Sequence, residues 1–140
     1  GQGFLLTTPL QLATMYAVIA NGGKLIRPRL ANSLPVQAAE LNLSPSHMNV
    51  IRKGLDYVVR RGTARRAGGF GITVAGKTGT AQNAHGDDHA LFVGYAPMDN
   101  PKYVAVAMLE AGLHGGSVAS PMVGEMLSYL LVPESRMKTP

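Results

Sequence analysis

Residues 71–80, "GITVAGKTGT", decide how this chain is read. Gly71 to Thr78 fit G-x-x-x-x-G-K-[ST], the pattern of a nucleotide-binding phosphate loop. Such a loop needs a strand before its first glycine and a helix opening at the Lys-Thr pair, whose free N–H groups and dipole hold phosphate. The neighbours oppose both requirements. "RRAGGF" (65–70) is a poor strand, and "ITVA" (72–75) is β-branched where a loop must be flexible. "GTAQNAHGDD" (79–88) is too rich in Gly, Asn and Asp to open a helix. The stretch is therefore expected to be a strand, Ile72 to Gln82, that carries a lysine and two threonines. The match to the phosphate-loop pattern is a coincidence.

Working outward, "NAHGDDH" (83–89) reads as a hairpin connection to a second strand at Ala90 to Ala96. "PMDNP" (97–101) turns the chain into a third, Lys102 to Glu110, which is apolar on alternate positions of both faces and so calls for layers above and below it. Connections this short imply an antiparallel meander. On the N-terminal side, Thr8-Pro9 is a helix cap and first turn, and Leu10 to Ala20 is apolar nearly all round, as in a helix buried in a core. Lys24 to Arg27 is a short strand candidate, and Pro28 to Leu43 shows no pattern. Ser44-Pro45 opens a second helix, with Ile51, Leu55, Val58 and Val59 inward and Arg52, Lys53, Asp56 and Arg60 outward. Gly62 ends it, and Thr63 to Ala67 suggests one further turn. After the loop "AGLHGGSVA" (111–119), Ser120-Pro121 should cap a last helix reaching about Leu131. The fold class is α+β: an antiparallel sheet covered by helices.

The chain has 140 residues, 46% hydrophobic and 15% charged, so it is globular and large enough to bury a core. With no cysteine, thiol catalysis, thiolate metal sites and disulfides are excluded. No apolar run approaches the roughly 20 residues that span a bilayer. A net charge of +5 is mostly scattered; the one tight cluster, Arg60-Arg61 with Arg65-Arg66, reads as a solvated helix face, and no nucleic-acid partner is expected. The chain starts at Gly1 without an initiator Met, as a piece of a longer protein would.

What can the 77–80 stretch do? On a strand, Lys77 and Thr78 face opposite ways unless the strand twists or lies at a rim. The small neighbours Gly76, Gly79 and Ala81 leave the backbone open to an extended ligand that adds as a further strand. A lysine cation and threonine hydroxyls on that edge suit a peptide bearing a carboxylate, and the Thr80 N–H is a candidate oxyanion donor. The plainer reading is an ordinary edge strand with a surface lysine.

The ordered set of motifs resembles one family. "AGKTGTAQ" (75–82) is similar to the third motif of the S-x-x-K, S-x-N and K-T-G set of penicillin-binding proteins, specifically the class B transpeptidases. "GQGFLLTTPLQLATMYAVIANGG" (1–23) resembles that family's helix segment after its second motif, "GTA" (62–64) its lead-in, and "LFVGYAP" (91–97) the strand after K-T-G. The opening Gly1-Gln2-Gly3 looks more like the elongation type, penicillin-binding protein 2, than the division type. Residues 1–132 would then be the C-terminal portion of a transpeptidase domain, with 133–140 as a tail.

The resemblance implies a D,D-transpeptidase that cross-links peptidoglycan stem peptides through a serine acyl-enzyme, is acylated by β-lactam antibiotics and serves cell-wall synthesis and cell shape. It implies a domain on the periplasmic side of the cytoplasmic membrane, cell-wall elongation membrane proteins as partners, and no cofactor. Lys77 would supply electrostatics near the nucleophile, and Thr78 and Thr80, with Gly79 between them, would bind the substrate carboxylate. The Thr80 N–H would be half of an oxyanion hole. The departure is large, because nothing in this chain fits the nucleophile motif in context. Ser135 and Lys138 match S-x-x-K by letter only, in a tail after Pro133, and no serine opens an S-x-N. Both motifs are expected in a missing N-terminal part of the same domain. The alternative is a non-catalytic peptide-binding or structural module on the same strands.

His85 and His89 with Asp87 and Asp88 are the one group with metal-ligand chemistry; as polar residues of a hairpin turn they read as no metal site. His47 and His114 are expected to be solvated, and the loop Gly112 to Ser117 to border the ligand groove. Met15, Met48, Met108, Met122 and Met126 have core spacing.

Overall fold

The structure, a computed structural model, describes residues 5–132. Its elements are α1 (Pro9–Asn21), β1 (Lys24–Ile26), β2 (Ala38–Glu40), α2 (Pro45–Arg60), a 3₁₀ turn (Arg65–Gly68), β3 (Ala75–Ala81), β4 (His89–Ala96), β5 (Tyr103–Leu109) and α3 (Ala119–Leu131). β3, β4 and β5 form an antiparallel meander in that order, with β4 central and Thr78 opposite Phe92. Helices cover both faces, so the α+β expectation holds. Among the described residues, no helix is long and apolar enough to cross a membrane.

Side-chain alternation along β4 divides the core in two. Ala90, Phe92 and Ala96 pack with Ala64, Val123 and Leu127 under α3 and the 3₁₀ turn. Val93 and Tyr95 pack with Tyr16, Ala20 and Leu55 under α1 and α2. β4 is therefore covered on both faces. So is β5, as its sequence calls for: Ala105 and Ala107 join the first core and Val104 and Val106 pack against the second, although β5 lies at the sheet's edge and leaves Tyr103 and Met108 exposed.

α1 starts as expected. Gln11 N–H donates to Thr8 Oγ1 (3.2 Å) and Thr8 N–H to Gln11 Oε1 (2.8 Å), a reciprocal capping box that satisfies otherwise orphaned donors. Its burial differs from expectation. Tyr16, Val18 and Ala20 are buried, whereas Leu10 and Met15 are exposed and line an apolar groove of about 830 Å³ with Met48 and Ile51. Met108, Met122 and Met126 are also exposed, leaving Met48 alone of the five proposed core methionines inside.

α2 corrects three further assignments. Ile51, placed inward by periodicity, is exposed at the groove. Asp56, placed outward by periodicity, is buried and ion-paired with Arg60 one turn on. Arg52 turns inward: its Nε donates to Ile19 O (2.8 Å) and its Nη2 to Ala20 O, satisfying carbonyls that the end of α1 leaves without helical partners. Periodicity assigns a face by polarity and cannot foresee a polar group that is needed inside. β2 lies in the supposedly unpatterned connection. It pairs with β1 across Lys24–Glu40 (3.3 Å) and is exposed at all three positions, so no apolar alternation marks it. α3 begins at Ala119 with Val118 as its cap. Ser120 lies inside the helix, fully buried, and its Oγ donates to Gly116 O (2.8 Å) instead of capping.

Tyr95 is fully buried, and its hydroxyl has no hydrogen-bond partner among the described residues. Burial, then the Asp56 and Asp99 carboxylates, push its pKa up against an opposing pull from Arg52; burial also raises Tyr16. The neutral phenols are thus the form the fold favours. Their contribution is complete below the ordinary value of 10.0 and is lost as pH rises through the raised values. Replacing Tyr95 by Phe removes an unsatisfied buried polar group and should raise stability by about 1 kcal/mol in denaturant unfolding. It should also flatten the loss of stability above about pH 10. Destabilisation by more than that amount would show that the hydroxyl has a partner.

Candidate active site

β3 is an edge strand among the described residues, so one row of its backbone N–H and C=O groups has no strand neighbour. Thr78 and Thr80 are alternate residues and share a face. They line a cleft of about 480 Å³ with Thr63, Arg65, Arg66 and the loop His114–Ser117. Of the loop Gly112 to Ser117, the last four residues border this cleft.

Two close approaches build the cleft. A Cβ on Gly115 would collide with Leu91 O and lie 2.5 Å from Gly79 O. A Cβ on Gly116 would collide with Thr63 O and sit 3.7 Å from Thr78 Cγ2. The loop therefore lies directly on the β3–β4 ladder, wedged against the Gly62–Ala64 segment, and only glycine fits there. Its other ties are Ser120 N–H to Gly115 O (2.8 Å) and Leu113 N–H to Asp88 O (2.9 Å). Ala111 and Leu113 hold φ of 51° and 62°, left-handed values that non-glycine residues adopt at a cost when surroundings dictate them.

The hydroxyls of Thr63 and Thr78 are 2.7 Å apart, a hydrogen bond that joins the "GTA" segment to the strand. Thr63 was not singled out by sequence; its motif was, as a lead-in, but nothing in the letters places it beside Thr78. Lys77 does not line this cleft. It is exposed on the strand's other side, and its Nζ donates to Thr78 O (2.8 Å), with no ion pair among the described residues. Gly79 alternates with it, beneath Gly115.

The arginine cluster divides. Arg60 pairs with Asp56, and Arg60 and Arg61 lie over the Tyr57 ring at 5.5 and 5.8 Å. Arg65 and Arg66 border the cleft, Arg66 Nη1 donating to Ser117 O (3.1 Å). The reading of all four as one solvated helix face is corrected, because the chain breaks at Gly62 and turns the second pair toward β3. His89 Nδ1 accepts from Ala111 N–H (3.1 Å) and so braces the loop. Among the described residues, no three His, Asp or Glu side chains assemble as metal ligands. Ser135 and Lys138 lie outside the described residues, as do Gly1, Gln2 and Gly3.

Against known proteins, the sequence model of the penicillin binding protein transpeptidase domain matches residues 1–128. The chain belongs to that family. It is 32% identical to the peptidoglycan D,D-transpeptidase MrdA of Haemophilus influenzae, over 94% of this chain and 25% of the relative. It is 35% identical to stage V sporulation protein D of Bacillus subtilis, over 99% of this chain and 24% of the relative. The chain thus spans about a quarter of the length of these relatives. The crystal structure of Pseudomonas aeruginosa PBP2 in complex with WCK 5153 superposes with a TM-score of 0.87 at 41% identity, covering 96% of this chain and 32% of that one. Helicobacter pylori PBP2, in its complex with MreC, gives 0.78 at 32%, covering 93% and 26%.

Within this penicillin-binding fold, the glycine wedge and the threonine pair make separate predictions. Gly115→Ala should cost about 1–3 kcal/mol of stability by overpacking a backbone contact. Thr63→Val should cost less, about 0.5–1 kcal/mol, since Thr78 loses one exposed hydrogen bond. Melting curves of the two variants check both; an equal or larger loss in Thr63→Val would remove the distinction.

Proposed function

We propose that residues 1–132 are the C-terminal portion of the transpeptidase domain of a peptidoglycan D,D-transpeptidase that cross-links stem peptides and is acylated by β-lactams. The observation that carries this is the pair Thr78 and Thr80, side by side on an open strand edge and facing a cleft. An extended peptide can add to that edge by main-chain hydrogen bonds while its terminal carboxylate meets the two hydroxyls. The Thr80 N–H acts as an oxyanion donor, an interaction whose loss costs about 2.7–4 kcal/mol.

The nucleophile comes from sequence outside this chain. Its serine oxygen attacks the scissile amide carbonyl, and the terminal amino acid leaves with a proton. The amine of a second stem peptide then displaces the serine, restoring its hydroxyl. Lys77 contributes positive charge beside the nucleophile and the developing oxyanion; its exposed ammonium, held through one hydrogen bond to Thr78 O, is free to take up that contact when the domain is complete. The reaction needs no cofactor. The domain works on the periplasmic face of the cytoplasmic membrane, with cell-wall elongation membrane proteins as partners; the H. pylori relative's complex with MreC supports that assignment.

In the full-length protein, Lys77→Ala should abolish cross-linking and slow acylation by fluorescent penicillin by about 10²–10³-fold. Thr80→Val should mainly weaken carboxylate binding, because the backbone N–H survives. Unchanged kinetics in a folded Lys77→Ala protein would remove the lysine's role, and complete loss in Thr80→Val would remove the backbone assignment. The 140-residue chain by itself should take up no penicillin, and an adduct mapped to Ser135 by mass spectrometry would overturn the claim that the nucleophile lies elsewhere.

A further inference from the structure

The cleft beside Thr78 and Thr80 has a one-sided charge. Arg65 and Arg66 line it, and no Asp or Glu does. Neither arginine makes an ion pair among the described residues, in contrast to Arg60, which Asp56 neutralises. Arg66 is also held in place: Nη1 donates to Ser117 O across the cleft (3.1 Å), and its other donors make no hydrogen bond among the described residues. Both arginines lie on the short 3₁₀ turn, which Ala64 and Ala67 anchor by complete burial in the core under α3. The cations are thus mounted on a fixed element, with open donors, in the cleft that the threonines also line.

The Thr78 and Thr80 hydroxyls already answer the terminal carboxylate. Two uncompensated guanidinium groups exceed that need, and a planar fork of N–H donors matches a carboxylate in two parallel hydrogen bonds. An extended peptide added to the β3 edge presents alternate side chains to the same cleft. We propose that Arg65 and Arg66 are specificity-determining residues: they bind a second carboxylate, borne on a side chain of the same peptide whose terminal carboxylate Thr78 and Thr80 hold. The inference rests on the transpeptidase reading and narrows its substrate class to stem peptides with a free side-chain acid.

The test uses the full-length enzyme and two synthetic peptide thioester donors that differ only in one side-chain group, carboxylate or carboxamide. The ratio of their kcat/KM values on one preparation is independent of the fraction of active protein. Wild-type enzyme should prefer the carboxylate about five- to tenfold. That preference should shrink as salt is raised to 1 M. In the Arg65→Gln, Arg66→Gln double variant the ratio should fall to about one, and the Arg65→Lys, Arg66→Lys variant should restore part of it. No preference in the wild type overturns the proposal, as does a preference that survives in the Gln variant. Equal slowing of both donors in the Gln variant also overturns it, since the arginines would then read the terminal carboxylate. Failure of the wild type to turn over either donor, or to be labelled by penicillin, would instead refute the underlying transpeptidase reading.

Discussion

The approach of the Gly115–Gly116 backbone to the sheet is the constraint on which the site depends. Without side chains there, the loop can rest on the Gly79–Leu91 rung and against Thr63 O at once. That contact sets the distance between the segment after α2, the face of β3 and the start of α3. Ser120, buried at the first turn of α3, ties the same loop from below through Gly115 O and Gly116 O. The cleft is therefore a by-product of backbone packing, and its side chains are positioned by elements that cannot move independently.

The sheet and the cleft also share a division of labour. β4 is filled on both faces and anchors two cores, so the meander is rigid at its centre. β3 is joined on one side alone and keeps an open edge. An open edge is ordinarily a hazard for strand exchange. Here it is short, interrupted by glycine and flanked by cations, which favours a polar extended ligand over another apolar strand. The exposed apolar groove beside α1 follows a different logic: Leu10 and Met15 belong to a helix whose inner face is satisfied by Tyr16 and Ala20.

Much of this was legible in the letters. Thr8-Pro9 with Gln11, the β-branched "ITVA" followed by small residues, and the short turns between apolar runs are local signals, and local backbone preference suffices to read them. They gave the three-stranded meander, α1 and α2 nearly to the residue, and they rejected the phosphate loop. The family motifs "GTA" and "KTG" were visible as motifs. One group of errors fell where a polar residue serves the interior: Arg52 under the end of α1, Asp56 beside Arg60, Ser120 within α3; polarity alone assigned each to solvent or to a cap. The other group fell on apolar residues such as Met15, Met108, Met122 and Met126, whose spacing suits a core but which the packing leaves exposed.

The sequence by itself determined the three-stranded meander and the helices around it, though not β2, and that Thr78 and Thr80 share a strand face, because those properties follow from neighbouring residues and a two-residue period. Only the tertiary structure decided that Thr63 bonds Thr78, that Arg65 and Arg66 leave the helix face of Arg60 and Arg61 to border the cleft, and that Gly115 and Gly116 must be glycine. These depend on segments 15 to 53 residues apart meeting at van der Waals distance. Such meetings are fixed by the packing of the whole core, which no local pattern encodes.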